Sequence, residues 1–106
     1  MALVKCRKNS HSLIVSFGSD TTVKIAYRLK SALQRILQEP VEHYRFDLSQ
    51  VTDTDITFIQ MLIAFSNTLK GNERRMSVIN CSQDSAFMQT CELCGIEIKS
   101  ILEFEG

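Results

Sequence analysis

One proline and 4 glycines are all that punctuate this chain of 106 residues, and the glycines are scattered. No glycine-rich loop is therefore available to cradle a phosphate. Charge of one sign is missing too: 12 Lys+Arg stand against 12 Asp+Glu, a formal net charge of zero. A nucleic-acid binder shows a basic excess or stripe, so that class is not expected. Long-range steering towards an anionic membrane is removed on the same ground. Long apolar runs are also lacking. The longest, Phe58–Ile63, is interrupted by Gln60 and falls far short of the roughly 20 residues that span a bilayer. Met1-Ala2-Leu3-Val4-Lys5 has neither the basic nor the apolar region of a signal peptide. These absences lead to the expectation of a soluble, cytoplasmic protein without direct membrane insertion. His11 and His43 stand alone in the sequence, with no nucleophile, base and orienting group suggested around them.

Cysteine is present but weakly organised. Cys6, Cys81, Cys91 and Cys94 are an even number, which in a short secreted chain would suggest bridges. Without an export signal, reduced thiols are expected. Cys91-Glu92-Leu93-Cys94 has a C-x-x-C spacing. In redox enzymes that motif opens a helix, where the dipole lowers the thiol pKa. Here it closes one before Gly95, at the end that disfavours a thiolate. Phe87, Cys91 and Cys94 share a helical face, so core packing is the expectation. A zinc site would need Cys6 and Cys81 to converge, and no tight second pair supports one. No metal, no cofactor and no enzymatic activity is expected.

What is there is a regular alternation of strand and helix patterns. At roughly 100–200 residues per domain, residues 1–106 are expected to form one domain, burying roughly two-thirds of the unfolded surface. Leu3–Cys6 and Leu13–Phe17 read as a β-hairpin around Lys8-Asn9-Ser10. Asp20 or Thr21 can cap a helix in which Val23, Ala26, Leu29, Leu33, Ile36 and Leu37 recur at helical spacing. Pro40 stops it. Tyr44, Phe46 and Leu48 alternate with His43, Arg45 and Asp47, the pattern of a half-buried strand over residues 41–48. A helix over 55–70 follows, with Ile59, Leu62, Ile63, Ser66 and Leu69 on one stripe and Gly71-Asn72 as its end. Met76–Ile79 is a further strand. Ser82 caps a third helix running to Cys94, with Gly95 and Ile96 closing it. The tail Ile98–Phe104 fits a strand or a last helical turn. The order β-β-α-β-α-β-α gives an α/β fold: a hairpin and a parallel βαβ unit in one mixed β-sheet, with three or more helices layered on it.

The run Asp47-Leu48-Ser49-Gln50-Val51-Thr52-Asp53-Thr54-Asp55-Ile56-Thr57-Phe58-Ile59 resembles the core of the STAS domain family, the small bacterial anti-sigma-factor-antagonist-like domains. That family shows an aspartate-leucine-serine strand end, a loop, and an aspartate-serine-serine/threonine-glycine-leucine helix start. Asn80-Cys81-Ser82 through Cys94-Gly95-Ile96 is similar to its later segment. The likeness extends over roughly residues 3–100, and its element order agrees with the one above. On this resemblance Asp55 falls on the motif aspartate and Thr57 on the phosphorylatable hydroxyl. Ile56 stands in place of the first serine. Phe58 replaces a glycine that lets a kinase-like partner approach closely, and its ring would fill that space.

The resemblance implies a non-enzymatic signalling module acting by protein–protein binding. Its partner would be an anti-sigma-type or chemotaxis-type kinase assembly. An alternative role in the family is that of accessory subunit of a lipid-transport ATPase, in which Thr57 would contact the partner unmodified. Thr57 is the candidate phospho-acceptor: a first-turn position offers free N–H groups and a favourable dipole to a phosphate, although Asp53 and Asp55 would repel it. Asp55 reads foremost as a helix cap. Asp53, Asp55, Ile56, Thr57, Phe58, Met61 and Phe65 make up the expected partner-binding set. Phe58, Met61 and Phe65 lie roughly a quarter-turn from the main stripe of their helix. They either pack on a neighbouring helix or form an exposed patch, and the patch, serving a partner or a homodimer, is the expectation.

Overall fold

The computed structural model describes residues 4–105. The expected strand start at Leu3 lies outside them. A hairpin opens the fold, β1 (Val4–Asn9) antiparallel to β2 (Ser12–Phe17). Its turn is Ser10-His11, with Ser10 in the left-handed region at φ 57°. Then follow β3 (Asp20–Thr21), a 3-10 turn (Val23–Ile25), α1 (Ala26–Ile36), β4 (His43–Asp47), β5 (Asp53–Thr54), α2 (Ile56–Lys70), β6 (Arg75–Ile79), α3 (Ala86–Leu93), a second 3-10 turn (Ile98–Ser100) and β7 (Glu103–Phe104).

The main sheet has the order β1-β2-β4-β6-β7, with the last four strands parallel. Each parallel crossover moves to the next strand in the same direction. Right-handed crossovers that all step the same way must place their helices on the same face. One face is thus covered by α1, α2 and α3. Strand alternation sends Leu13, Val15, Phe17, Tyr44, Phe46, Met76 and Val78 into one continuous core beneath them. Among the described residues, no helix lies over the opposite face, which bears His43, Arg45, Arg75 and Ser77.

That arrangement explains the main departure from the sequence reading. Phe58 is 0% and Phe65 4% exposed, so neither belongs to a surface patch, and Met61 is partly buried against the same core. α2 is the middle helix of three. It buries one stripe on the sheet and flanking positions against its neighbours. Phe58 meets Phe17 at 5.1 Å and Phe87 at 6.0 Å between ring centroids. Phe65 meets Tyr44 at 5.2 Å and Phe46 at 5.0 Å.

Smaller corrections concern ends. Asp20 and Thr21 form a strand instead of capping α1. Ser82 does not cap α3: its hydroxyl donates to Asp84, and Ser85 accepts from the Met88 N–H as the cap. α2 stops at Gly71, but the left-handed residue of that turn is Glu73, at φ 59°. α3 ends as expected. Gly95, at φ 69°, donates to the Glu92 carbonyl, and Ile96 donates to that of Cys91, the paired closure that a left-handed glycine permits. The tail divides into a 3-10 turn and a short strand.

Candidate functional site

The site is built around Asp55. With extended backbone before α2, this residue presents its carboxylate to two helix starts at once. Oδ1 accepts from the Thr57 N–H at 3.0 Å, the cap of α2. Oδ2 accepts from the Val23 N–H at 2.7 Å, fixing the turn that leads into α1. The loops before both helices are joined as well. β3 and β5 pair in parallel, the Thr52 and Asp53 N–H groups donate to the Ser19 carbonyl, and the buried Thr21 hydroxyl donates to the Asp53 carbonyl at 3.2 Å. The Asp20 carboxylate accepts from the Thr22 hydroxyl at 2.7 Å and the Thr22 N–H at 2.9 Å. These bonds, the hydroxyl first, hold its pKa below the usual carboxylate range. The result is a braced end of the molecule, at the C-terminal edge of the sheet.

The expected site residues separate here. Asp53, Asp55, Ile56 and Thr57 come together. Asp53 is exposed on β5, Ile56 is 40% exposed, and Thr57 is half-buried in the first turn of α2. Phe58 and Phe65 leave the surface altogether. Met61 and Thr57 line a groove between α1 and α2.

Of the apolar surface that does exist, only Ile56 was anticipated. Val23 is 64%, Tyr27 85%, Ile56 40% and Leu93 88% exposed. Val23 and Ile56 flank the Asp55 carboxylate, Tyr27 lies one turn beyond Val23, and Leu93 lines a polar groove with Asp53, Thr54 and Lys24. The signal was available in the sequence. On a helical wheel Val23 and Tyr27 lie about 110° and 150° from the direction shared by Leu29, Leu33 and Ile36. Leu93 is about 140° from that of Phe87 and Cys91. Counting Val23 with the buried stripe overlooked this offset.

Two other clusters have different chemistry. Cys91 is 1% exposed, and burial pushes its thiol up to about 11. Cys94 is exposed at the C-terminal end of α3. Neither placement creates the electropositive setting that a nucleophilic thiolate requires. On the helix-free sheet face, Arg45 donates two hydrogen bonds to Glu105, at 3.0 and 2.9 Å, and the Ser77 hydroxyl donates to the same carboxylate. Arg45 first, then Ser77, hold the Glu105 carboxyl down at about 2. His43 is not isolated after all. Its Nε2 lies 2.7 Å from the Ser77 hydroxyl and 3.7 Å from Glu105, and burial lowers its pKa. A catalytic base would be oriented through its other ring nitrogen; here both neighbours crowd Nε2, so the cluster ties β4, β6 and the residue after β7 together. Among the described residues, no group of three His, Cys, Asp or Glu side chains converges on a metal position, and no helix is long and apolar enough to cross a membrane.

Comparison with known proteins agrees with this architecture. Residues 4–103 match the family model described as Mlab, STAS domain. An anti-sigma factor antagonist from Mycobacterium paratuberculosis superposes with a TM-score of 0.80 at 18% identity, over 95% of this chain and 82% of that one. RsbS from Moorella thermoacetica gives 0.74 at 14% identity, over 98% and 86%. The Bacillus cell fate determinant SpoIIAA in its phosphorylated form gives 0.67 at 8% identity, over 97% and 91%. At these identities the structural matches show the fold alone. No curated protein matches the chain in sequence.

Proposed function

The chain belongs to the STAS domain family, and on that footing we propose that it is a non-enzymatic regulatory module that works by binding a protein partner at the Asp55 end of the molecule. The observation that carries this reading is the gathering of the exposed apolar side chains Val23, Tyr27, Ile56 and Leu93 around a loop pair that is locked by hydrogen bonds. A rigid, partly apolar surface loses little conformational entropy when a partner covers it, and exposed aromatic anchors suit binding hot spots. The partner class that fits the fold relatives is an anti-sigma-type or chemotaxis-type kinase assembly. Thr57, in the first turn of α2, is the residue at which phosphorylation would switch the surface, since a dianion beside Ile56 opposes an apolar contact.

A second reading, that of a constitutive accessory subunit of a lipid-transport ATPase, is favoured by one feature. Thr57 is half-buried and forms part of a groove wall, a position suited to contact without modification. Affinity capture from the native cell, using wild type and a Val23→Ser, Ile56→Ser double variant that keeps its circular dichroism spectrum, tests the surface. The expected result is a stoichiometric protein partner retained by wild type and lost by the variant. Equal retention by both would place the interface elsewhere. Phosphopeptide mapping of Thr57 in the same material separates the two readings.

A further inference from the structure

We infer that the Asp55 carboxylate relays charge at Thr57 to the start of α1: a phosphoryl group on Thr57 displaces it, frees the Val23 N–H and loosens the turn that carries Val23 and Tyr27. This rests on the Thr57 switch proposed above and adds its route and its reach. Among the described residues, α1 has no side-chain cap of its own. Neither Thr22, before the 3-10 turn, nor Ile25, before α1, supplies a side-chain acceptor, and the Thr22 hydroxyl is committed to Asp20. The acceptor for the Val23 N–H comes instead from Asp55, 32 residues along the chain, at 2.7 Å. The same carboxylate takes the Thr57 N–H at 3.0 Å. One planar group thus closes the first turn of α2 and the turn before α1, and a rotation that withdraws one of its oxygens moves both.

Added charge at Thr57 sets these two bonds in competition with it. Transfer of a phosphoryl group from a nucleoside triphosphate forms a P–O bond at Thr57 Oγ1 and breaks the terminal phosphoanhydride bond. The nucleoside diphosphate leaves, and the hydroxyl proton passes to solvent. The product carries about 1.5–2 negative charges and three strong acceptor oxygens. Those oxygens compete with Asp55 for the N–H groups of the first turn of α2, where the helix dipole favours the greater negative charge. Asp55 Oδ1 already lies 3.0 Å from the Thr57 nitrogen, so the new anion falls within the screening length of about 8 Å at physiological salt and repels the carboxylate. Lys30, on the groove wall with Thr57, draws the far oxygens, but the ester bond keeps the phosphorus two residues from Asp55. The Thr57 N–H gains a replacement acceptor; the Val23 N–H, on another element, is left to water. Val23 and Tyr27, 64% and 85% exposed, have little packing to hold them once that bond is gone. The α1 half of the apolar surface then loses its fixed position while the Ile56 half acquires a charge.

The test reads the Val23 amide by NMR hydrogen exchange in the full chain carrying Thr57→Glu, in its neutral counterpart Thr57→Gln, and in both again with Asp55→Ala added. The expected result is exchange at Val23 about tenfold faster in Thr57→Glu than in Thr57→Gln, an opening confined to one turn. The amide of fully buried Val78 keeps its protection. With Asp55→Ala added, the two residues at position 57 give the same fast exchange at Val23. Phosphothreonine placed at position 57 by codon suppression should open Val23 further than Thr57→Glu does. Exchange at Val23 that is the same with glutamine, glutamate and phosphothreonine at position 57 would overturn the relay. So would a charge effect that survives without Asp55, or acceleration that extends to Val78. If wild type captures its partner and Thr57→Glu does not while Val23 is unchanged, the switch at Thr57 stands and the relay is refuted. If Thr57→Glu captures the partner as well as wild type does, the switch itself fails, and the relay with it.

Discussion

Replacing Phe58 by alanine removes the ring that joins α2 to the sheet and to α3. The side chain is 0% exposed and makes edge-on contacts with Phe17 and Phe87 at 5.1 and 6.0 Å. Phe→Ala at a fully buried site costs about 3–5 kcal/mol, transfer and cavity terms together. Each aromatic pair contributes about 0.5–1.5 kcal/mol beyond the area it buries, which places this site towards the upper end of the range. A domain of this size is stable by about 5–15 kcal/mol in total, so the variant should fold with little margin. Urea unfolding followed by circular dichroism should show a midpoint lower by at least about 1 M with an unchanged slope. The melting temperature should fall by at least about 12 °C, taking roughly 4 °C per kcal/mol. Phe58→Leu, which keeps most of the volume, should lose distinctly less. A loss below about 1 kcal/mol for the alanine variant, the range of surface substitutions, would mean that the ring is solvated. The packing of α2 against the sheet and α3 at this position would then be wrong.

Leu62→Ala, also at a fully buried position, should cost about 2–5 kcal/mol, whereas Thr57→Ala should cost well under that; equal shifts in melting temperature would contradict the assigned faces of α2. Asp55→Ala removes an N-cap worth about 1 kcal/mol together with the bond to the Val23 N–H, so hydrogen exchange should accelerate at both the Thr57 and Val23 amides. Acceleration at Thr57 alone would deny the bridging role. Glu105 has a folded pKa of about 2 against an ordinary value of 4.5. Its contribution is present above pH 4.5 and is lost as pH falls towards 2. Glu105→Gln should therefore flatten the acid limb of a stability–pH curve over that window. Cys91 should resist alkylation at neutral pH in the folded state while exposed Cys94 reacts; prompt modification of Cys91 would show that its burial is incomplete.

The sequence by itself determined the element order and the ends of several elements. Period and punctuation are local properties, so Pro40 after α1, Gly95 after α3 and the alternation through His43–Asp47 could be read without knowing what packs where. The Asp47–Ile59 run sufficed for the family, and the residue-by-residue match put Asp55 and Thr57 at the helix start where they stand. Tertiary structure alone decided which faces meet water. Phe58 and Phe65 look surplus on an isolated helix and become core because Phe65 reaches Tyr44 and Phe46 on the sheet while Phe58 sits between Phe17 on the sheet and Phe87 on α3. Two-residue strands such as β3, β5 and β7 carry no periodicity to detect; they exist through pairing partners more than 20 residues distant. The Asp55–Val23 and Arg45–Glu105 contacts span 32 and 60 residues. No local pattern encodes such a contact. It arises only when crossovers that all step in one direction bring these loops to the same edge and leave the other sheet face to charge.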